Sequence, residues 1–301
     1  MLTQFIKNLA KRQQSLYKIL KVNYLILKGY YPIFLDYPVK PIPRYGYGKP
    51  PHSKLYEIIN KNRIEYKNKL ERLLRFKEYF SRIPVRAPST PQEPYWMNRW
   101  IPGLDTVALY SFLCLNNPKR YFEIGSGNST KFARKAILDH DLQTKITAID
   151  PHPRTEITSI CDTIIRHPLE DVDPCIFDEL EVKDILFIDG SHRCFMNSDV
   201  AVTFLDILPR LSAGVLVEFH DILLPYDYPP TWRELYFSEQ YLLAVSLLAK
   251  SNKFDITLPN FFISRDPELN EVIAPIWDTA EMYAVKKHGW SHGWSFWIQT
   301  K

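Results

Sequence analysis

Glycines, carboxylates and imidazoles stand at the points of this sequence where apolar runs end. The run Tyr121–Ile124 leads straight into Gly125, Ser126 and Gly127, and the Asn-Ser-Thr segment that follows offers side chains that cap helices. A strand, a tight glycine turn and a helix N-terminus bring backbone N–H groups close to a ligand, because glycine has no Cβ to hold the ligand off. The turn therefore predicts ligand binding, although glycine turns after strands also occur for purely structural reasons.

Three kinds of ligand site compete for this turn. A P-loop needs Gly-x4-Gly-Lys-Ser/Thr, which is absent from the segment. A dinucleotide fingerprint needs Gly-x-Gly-x-x-Gly, and Thr130 stands in place of the third glycine. The pattern that remains, Glu-x-Gly-x-Gly from Glu123 to Gly127, resembles the first motif of class I S-adenosylmethionine (SAM)-dependent methyltransferases.

Polar residues follow the later apolar runs in the same way. We expect strands at Lys145–Ile149, Thr163–Arg166, Asp184–Ile188 and Val215–Phe219, alternating with helices. This alternation predicts βαβ units and a mostly parallel sheet covered on both faces, that is, an α/β fold. Ligands bind such sheets at the carboxyl ends of the strands. The polar residues gathered at that edge are Asp150, Glu170, Asp189, His192, His220 and Asp221.

Helices and connectors complete the predicted organisation. Prolines between residues 32 and 51 and between 84 and 94 mark two extended connectors, and we place a domain boundary at 94/95. The predicted units are a basic helical extension, 1–94, and a ligand-binding domain, 95–301. An aromatic segment at 95–103 either roofs a pocket or packs the linker down. The predicted helices are Lys54–Phe80 capped by Ser53, Thr106–Leu115 capped by Asp105, Lys131–Leu138, Phe195–Leu208 and Trp232–Lys250.

The net charge of +4 hides an asymmetry between the two units. Residues 1–90 carry 19 Lys+Arg against 5 Asp+Glu, whereas residues 91–301 carry 19 against 29, giving +14 and −10. Residues 2–28 have helical apolar spacing and no acid, which favours either docking on the chain's own acidic body or on a second subunit, or contact with a membrane surface. Aromatic and basic residues do not interleave as in a nucleic-acid platform, so we expect no nucleic acid partner.

Cysteine usage and hydropathy indicate a cytoplasmic protein, with the membrane surface as the alternative location. The four cysteines have no metal-binding or redox spacing, and we interpret them as small core residues in a reducing compartment. No apolar run reaches 18 residues, so we expect no membrane span. The repeat His288-Gly-Trp-Ser, His292-Gly-Trp-Ser is more typical of a turn than of a metal site.

Several motifs in order extend the resemblance to a bacterial branch of the class I methyltransferases, the "methyltransferase domain 24" type. The similarity covers about residues 100–301 and implies a doubly wound seven-stranded sheet whose last strand is antiparallel, with SAM as methyl donor. Members of this type often lie near polysaccharide or natural-product genes. The motifs that carry the resemblance are Glu123–Thr130, Ile149–Pro151, Phe187–His192, Leu208–Gly214, Phe219–Ile222 and Ser295–Ile298.

The resemblance assigns each strand end a part of SAM. The glycine turn admits the methionine portion, and Glu123 either accepts its ammonium group or braces the loop. Asp150 has the position from which a carboxylate accepts both ribose hydroxyls in dinucleotide folds, and the segment 167–170 flanks the adenine. The predicted cofactor-binding residues are Glu123, Gly125, Ser126, Gly127, Asn128, Ser129, Asp150, Pro151, Leu169, Glu170 and Asp189.

For methyl transfer the enzyme must align the acceptor and remove a hydroxyl proton. His192 and His220 are the predicted bases, because an ordinary imidazole pKa near ~6.5 suits proton removal at neutral pH, and Asp221 is the third predicted catalytic residue. The alternative is a divalent cation held by Asp189 and Asp221, as in related catechol-type enzymes. His220 lies where that type prefers an acid, which favours a softer ion than Mg²⁺.

Two functional hypotheses follow. The first is a SAM-dependent O-methyltransferase acting on a sugar, a glycan or another small hydroxylated acceptor, working at the membrane surface if the basic arm binds there. The second is a SAM-binding module without transferase activity, acting as a regulator or partner. A homodimer is compatible with both.

Overall fold

The chain forms two compact units, Met1–Pro41 and Ile42–Lys301. This computed structural model describes residues 13, 16–17, 19–29, 36, 38–249 and 252–301. In the first unit, residues 13, 16–17 and 19–27 are helical, as the spacing predicts, and the rest of the predicted helix 2–28 lies outside the described residues. Within the described ranges, no helix is both long and apolar enough to cross a membrane.

The second unit is built on one seven-stranded sheet with the order β3-β2-β1-β4-β5-β7-β6. Strands β1 to β5 pair in parallel, while β7 is antiparallel to both β5 and β6, which confirms the sheet that the resemblance implied. The central strand β4 is buried at every residue because its all-apolar sequence is covered on both faces. The strands are β1 Arg120–Ile124, β2 Lys145–Ile149, β3 Thr163–Ile165, β4 Ile185–Ile188, β5 Leu216–Phe219, β6 Phe254–Pro259 and β7 Phe296–Thr300.

Ten α-helices are assigned in the described part of this unit, and short 3-10 turns and one π-helical turn link some of them. The π turn, Thr203–Ile207, directly continues the helix Asp199–Val202. The helices are α1 Ser53–Asn60, α2 Arg63–Leu73, α3 Lys77–Phe80, α4 Gly103–Asn116, α5 Asn128–Asp139, α6 Asp199–Val202, α7 Glu239–Leu248, α8 Asn260–Arg265, α9 Pro267–Trp277 and α10 Tyr283–Lys287.

The segment before the sheet differs from its prediction. The single helix expected over Lys54–Phe80 is α1, α2 and α3, broken around Asn60–Asn62, where asparagine favours caps and turns over helix interiors. His52, not Ser53, caps α1, because its Nδ1 accepts the Leu55 N–H at 3.3 Å. Residues 42–94 lie within the compact unit that holds the sheet, so the predicted boundary at 94/95 falls inside that unit. The extent of the binding domain, 95–301, stays a prediction.

Two later helices begin after their predicted starts because tertiary hydrogen bonds hold the chain before them in loops. The helix expected from Phe195 begins at Asp199, and the Cys194 N–H donates to Ser238 Oγ at 2.7 Å. The helix expected from Trp232 begins at Glu239, because the N–H of the preceding residue, Ser238, donates to the His192 carbonyl at 2.8 Å.

The cysteines are not all core residues. Cys114 and Cys161 are half-buried, whereas Cys175 and Cys194 are exposed, so the interpretation as core residues is wrong for the latter pair.

Asp105, in the first turn of α4, binds the segment that leads into β7. It was predicted to cap a helix, but α4 begins two residues earlier at Gly103 and the carboxylate is fully buried inside the first turn. It accepts hydrogen bonds from Asn260 Nδ2 at 2.8 Å, the Trp294 N–H at 2.7 Å and the Ser295 N–H at 2.9 Å. Glycine at 293 permits this contact, since a Cβ there would lie 2.5 Å from Asp105 Oδ1.

We expect Asp105→Ala to destabilise the protein by several kcal/mol, because each buried donor left without a partner costs about 1–3 kcal/mol. Urea unfolding followed by circular dichroism measures the change. The control Asp206→Ala alters an exposed acid and should keep the wild-type midpoint. An Asp105→Ala midpoint equal to that of the wild type would contradict this role.

Candidate active site

The turn after β1 lies against the end of β4. Gly125 has φ +76°, and a Cβ there would lie 1.9 Å from the Asp189 carbonyl oxygen, so only glycine fits. The Gly125 N–H donates to the Ile149 carbonyl at 3.0 Å, and the Asp189 N–H donates to the Ile124 carbonyl at 2.8 Å. The ends of β1, β2 and β4 therefore meet around this turn, as the predicted topology requires.

A cavity of about 360 Å³ opens at this edge of the sheet. Its volume is within the range of small-molecule and cofactor pockets, roughly 300–1,000 Å³. Seven of the predicted cofactor-binding residues line it, which are Gly125, Ser126, Asp150, Pro151, Leu169, Glu170 and Asp189.

Asp150 lies in the wall of this cavity and is partly buried. Its Oδ2 accepts hydrogen bonds from the Ser126 N–H at 2.8 Å and Ser126 Oγ at 3.0 Å, and its Oδ1 accepts the His152 N–H at 2.8 Å. A carboxylate oxygen has a second lone pair. Asp150 thus fixes the glycine turn and keeps acceptor capacity towards the cavity.

A second, smaller cavity of about 20 Å³ adjoins the same turn. Its walls combine Ser126, Gly127, Asn128 and Ser129 with Asp189 and His220 from the ends of β4 and β5. Gly127 borders open space, since a Cβ there would meet no protein atom within 4 Å. Asn128 Oδ1 is buried without a hydrogen-bond partner. The turn thus provides both room and an unused polar atom for a ligand.

The aromatic segment 95–103 serves both purposes that the sequence left open. Trp100 and Ile101 line the second cavity, and the Arg154 guanidinium lies 4.3 Å from the centre of the Trp100 ring. Trp96 is instead fully buried, and its Nε1 donates to the Phe80 carbonyl at 3.2 Å. Arg154 lines both cavities, and no sequence pattern singled it out.

Glu123 lies beneath the turn and lines neither described cavity. It is fully buried and accepts a hydrogen bond from Thr130 Oγ1, which itself accepts the Gly127 N–H at 2.9 Å. Burial raises the pKa of Glu123 to about 8. This geometry favours bracing of the loop over contact with an ammonium group.

Four carboxylates surround the two predicted histidines. His192 Nδ1 lies 2.9 Å from Glu239 Oε2, and its Nε2 lies 3.2 Å from Asp189 Oδ1. His220 Nδ1 lies 3.5 Å from Asp221 Oδ1, and its Nε2 lies 3.5 Å from Asp105 Oδ2. Asp105 and Glu239 were not predicted as site residues, because a helix start and a distant acid give no sequence signal of this contact.

The two histidines differ in their access to ligand. Both ring nitrogens of His192 face carboxylates, and the ring lines neither cavity at the turn. His220 borders the second cavity, and its ring nitrogens lie 3.5–3.6 Å from their carboxylate oxygens, farther than the 2.9 and 3.2 Å contacts of His192. His220 is therefore the imidazole placed to meet a bound molecule.

The charges around His192 and His220 change the pKa values on which their prediction as bases rested. Burial opposes the charged form of both imidazoles, but the surrounding carboxylates outweigh it. They raise the pKa of His192 to about 10 and that of His220 well above its ordinary value. For Asp189 the two imidazoles likewise outweigh burial and lower its pKa, whereas burial raises the pKa of Asp221. An ordinary imidazole pKa near neutrality therefore does not hold here.

The predicted metal site finds no support in this geometry. Among the residues that the structure describes, no group of three or more His, Cys, Asp or Glu side chains is placed to hold a metal ion. Asp189 and Asp221 face imidazoles instead. Their role as cation ligands stays a prediction.

We expect Glu123 to make the wild type less stable as the pH rises. A carboxyl group with a raised pKa stabilises the fold below its unfolded pKa of 4.5, and that contribution is lost as the pH rises through about 8. Glu123→Gln does not titrate, so its melting temperature should fall less between pH 5 and pH 9. The control Glu93→Gln changes an exposed residue and should keep the wild-type pH dependence. Parallel curves for Glu123→Gln and the wild type would contradict a buried, titrating Glu123.

Comparison with known proteins adds a family match. Residues 122–222 match the model of the family Methyltransf_24, described as a methyltransferase domain. No curated protein matches the sequence.

Solved structures give only distant likenesses. The SAH-bound methyltransferase PaMTH1 of Podospora anserina is 16% identical with a TM-score of 0.40, over 85% of this chain and 100% of that one. The plantazolicin methyltransferase BpumL in complex with SAH is 12% identical with a TM-score of 0.39, over 83% and 91%. The O-methyltransferase TomG of Streptomyces achromogenes, in complex with SAM, is 16% identical with a TM-score of 0.36, over 64% and 81%.

The family match and the sheet lead to one conclusion. The matched residues contain the glycine turn, Asp150, Asp189 and the His220–Asp221 pair, and the sheet has the seven strands and antiparallel last strand that the resemblance implied. Over residues 122–222 this chain is similar to a methyltransferase domain, and its sheet has the fold of the class I SAM-dependent methyltransferases that it resembles.

Proposed function

We propose that the chain methylates a hydroxyl group of a sugar, a glycan or another small hydroxylated molecule, with His220 beside the acceptor hydroxyl. One observation carries the proposal. His220 is a buried imidazole that borders the cavity next to Gly127 and Asp189, and its ring nitrogens lie 3.5–3.6 Å from the nearest carboxylate oxygens. These distances are longer than a good hydrogen bond, so a bound hydroxyl can give the ring a closer partner.

In this proposal SAM extends over both cavities. Asp150 accepts the ribose hydroxyls, and Leu169 and Glu170 border the adenine in the larger cavity. The turn from Ser126 to Ser129 holds the methionine portion next to the smaller cavity. Glu123 supports the turn from below. SAM supplies a methyl group that its sulfonium already activates, so the protein must align the acceptor and take up a proton.

In this account the acceptor proton ends on Asp221: His220, which its raised pKa keeps charged, passes a ring proton to the Asp221 carboxylate as the ring takes the hydroxyl proton. The two groups titrate together because their facing atoms lie 3.5 Å apart. Burial raises the pKa of Asp221, which makes it a stronger base than an ordinary carboxylate. His192, tied between Asp189 and Glu239, is a positioning residue that keeps Asp189 in place.

Asp221 and His192 both have strained backbones, with φ of +56° and +59°. The left-handed region is rare for residues other than glycine and recurs at functional sites. The fold holds both residues in this conformation, and both belong to the cluster around His220.

We expect Asp150→Ala to weaken S-adenosylhomocysteine binding about 10- to 100-fold, because it removes charged hydrogen bonds to the ribose and releases Ser126. Isothermal titration calorimetry measures the affinity. Asp206→Ala, an exposed acid away from the cavities, is the control and should bind like the wild type. An unchanged dissociation constant for Asp150→Ala would remove Asp150 from the site.

Methyl transfer itself is tested with a panel of acceptors. Purified protein, SAM and single hydroxylated compounds, including monosaccharides, a uronic acid, sugar phosphates and a catechol, are analysed for released S-adenosylhomocysteine and a methylated product. We expect product with at least one hydroxylated compound. Methylation of matched amines alone would contradict O-methylation. Binding of S-adenosylhomocysteine without any consumption of SAM would favour the binding-module hypothesis.

With an accepted compound, His220→Ala should lower turnover about 10²- to 10⁴-fold, the usual effect of losing a positioned proton-transfer group. Its affinity for S-adenosylhomocysteine should stay within a few fold of the wild type. His288→Ala changes an exposed histidine and should keep full turnover. Full turnover by His220→Ala would disprove the proposed role.

A further inference from the structure

A separate cavity of about 300 Å³ lies beside the proposed methyl-transfer site. It has no part in the cofactor site described above, and five of its ten lining residues are aromatic. Six residues that define its character are Tyr47, Tyr226, Trp232, Phe261, Arg265 and Trp294. We call it the aromatic cavity.

The aromatic cavity is joined to the reaction centre through Trp294. The Trp294 ring lies in the cavity wall, 5.2 Å from the Trp232 ring and 6.5 Å from the His220 ring, centre to centre. Leu223, two residues after Asp221, also lines the cavity. A molecule in the cavity is therefore about one ring away from His220.

The walls of the cavity suit a ring-shaped molecule. Tyr226 and Phe261 pack edge to face at 5.7 Å, and Trp232 and Trp294 do so at 5.2 Å. Rings packed in this way are rigid and present flat apolar surface with few polar groups, as in pockets that bind small molecules. Such walls cover the C–H face of a sugar or other ring and leave its hydroxyl groups free.

Arg265 gives the aromatic cavity a positive charge. Among the described residues, no carboxylate lies within salt-bridge distance of its guanidinium, and no hydrogen bond from it is found. The adjacent Asp266 is already bound to Arg63, at 2.5 and 2.6 Å. The other nearby acid, Asp227, accepts hydrogen bonds from the backbone of Arg44 and Tyr45 and from Tyr241 Oη. The fork of an arginine matches the oxygens of a carboxylate or phosphate.

We propose that the aromatic cavity is the acceptor subsite and that it binds a hydroxylated ring bearing a carboxylate or phosphate group, which pairs with Arg265. The proposal rests on the proposed function, because the distance through Trp294 matters only if methyl transfer occurs beside His220. It deepens that function by assigning the acceptor a negative charge. Because Trp294 lies between the cavity and His220, the bound ring is the neighbour of the methylated unit in a longer acceptor.

Binding of simple probes to protein loaded with S-adenosylhomocysteine tests the proposal. Glucuronate and glucose 6-phosphate are the anionic probes, methyl glucoside is the neutral one, and calorimetry or ligand-observed NMR measures binding. We expect at least one anionic probe to bind at least tenfold more tightly than methyl glucoside, and the stronger anion identifies the carboxylate or the phosphate as its natural group. Equal binding of charged and neutral rings, or no binding of any probe, would overturn the proposal.

Substitutions at Arg265 test whether this residue causes the tighter binding of anionic probes. Arg265→Gln should weaken anion binding at least tenfold, Arg265→Lys should restore part of it, and methyl glucoside should bind all three proteins alike. Arg265 is exposed, so these variants should fold. Arg233→Gln, which changes an exposed arginine that does not line the cavity, should bind like the wild type. Undiminished anion binding by Arg265→Gln would overturn the assignment.

The same experiment distinguishes a failure of the proposed function from a failure of the acceptor subsite alone. If the wild type does not bind S-adenosylhomocysteine at all, the proposed function fails. If it binds S-adenosylhomocysteine but shows no preference for anionic rings, only the acceptor subsite fails.

Discussion

The backbone contact between Gly125 and Asp189 is the constraint on which the site depends. A Cβ at residue 125 would overlap the Asp189 carbonyl, so the turn after β1 can approach β4 only with glycine at that position. The approach brings Asp150 from β2 and Asp189 from β4 to the two sides of one turn. A single ligand can then contact three strand ends, which is the general arrangement of ligand sites in parallel sheets.

Charge compensation is the second organising feature. Two imidazoles lie among four carboxylates with little exposure to solvent, and unpaired charges there would be costly. The imidazoles hold Asp189 in its charged form, and burial raises the pKa of Asp221 and Glu239. Groups this close titrate together, which suits the proposed reaction, since that reaction releases a proton from an acceptor hydroxyl. His220 is the imidazole of the cluster that borders a cavity, and Asp189 is the carboxylate that does so.

The sequence predicted the sheet well, since short apolar runs followed by glycine or polar residues mark buried parallel strands and their ends. Prediction failed where tertiary contacts outweighed local pattern. Asp105 looked like a helix cap, but its partners come from residues 260, 294 and 295, far along the chain. The helix expected from Phe195 begins later because Ser238 holds the preceding loop.

Prediction of the candidate site from the sequence was limited in the same way. Asp150, Asp189, His220 and the glycine turn all line the cavities, as their places at the ends of strands led us to expect, and their roles stay predictions. Residue type and position gave no hint that His192 is enclosed by Asp189 and Glu239, or that carboxylates raise the pKa of both imidazoles. The sequence favoured a turn over a metal site for the aromatic repeat near the C-terminus and did not indicate that its Trp294 would lie between His220 and the aromatic cavity. Such effects depend on several chain segments at once.

The central claim is that a sulfonium nucleoside lies across the carboxyl edge of β1, β2 and β4 with its sulfur towards His220. A crystal structure of the full chain grown with S-adenosylhomocysteine tests it most directly. The account predicts the ribose hydroxyls at the Asp150 carboxylate, the adenine near Leu169, and the sulfur in the small cavity between Gly127 and His220. A ligand bound elsewhere, or a sulfur directed away from His220 with Asp150 unengaged, would contradict it.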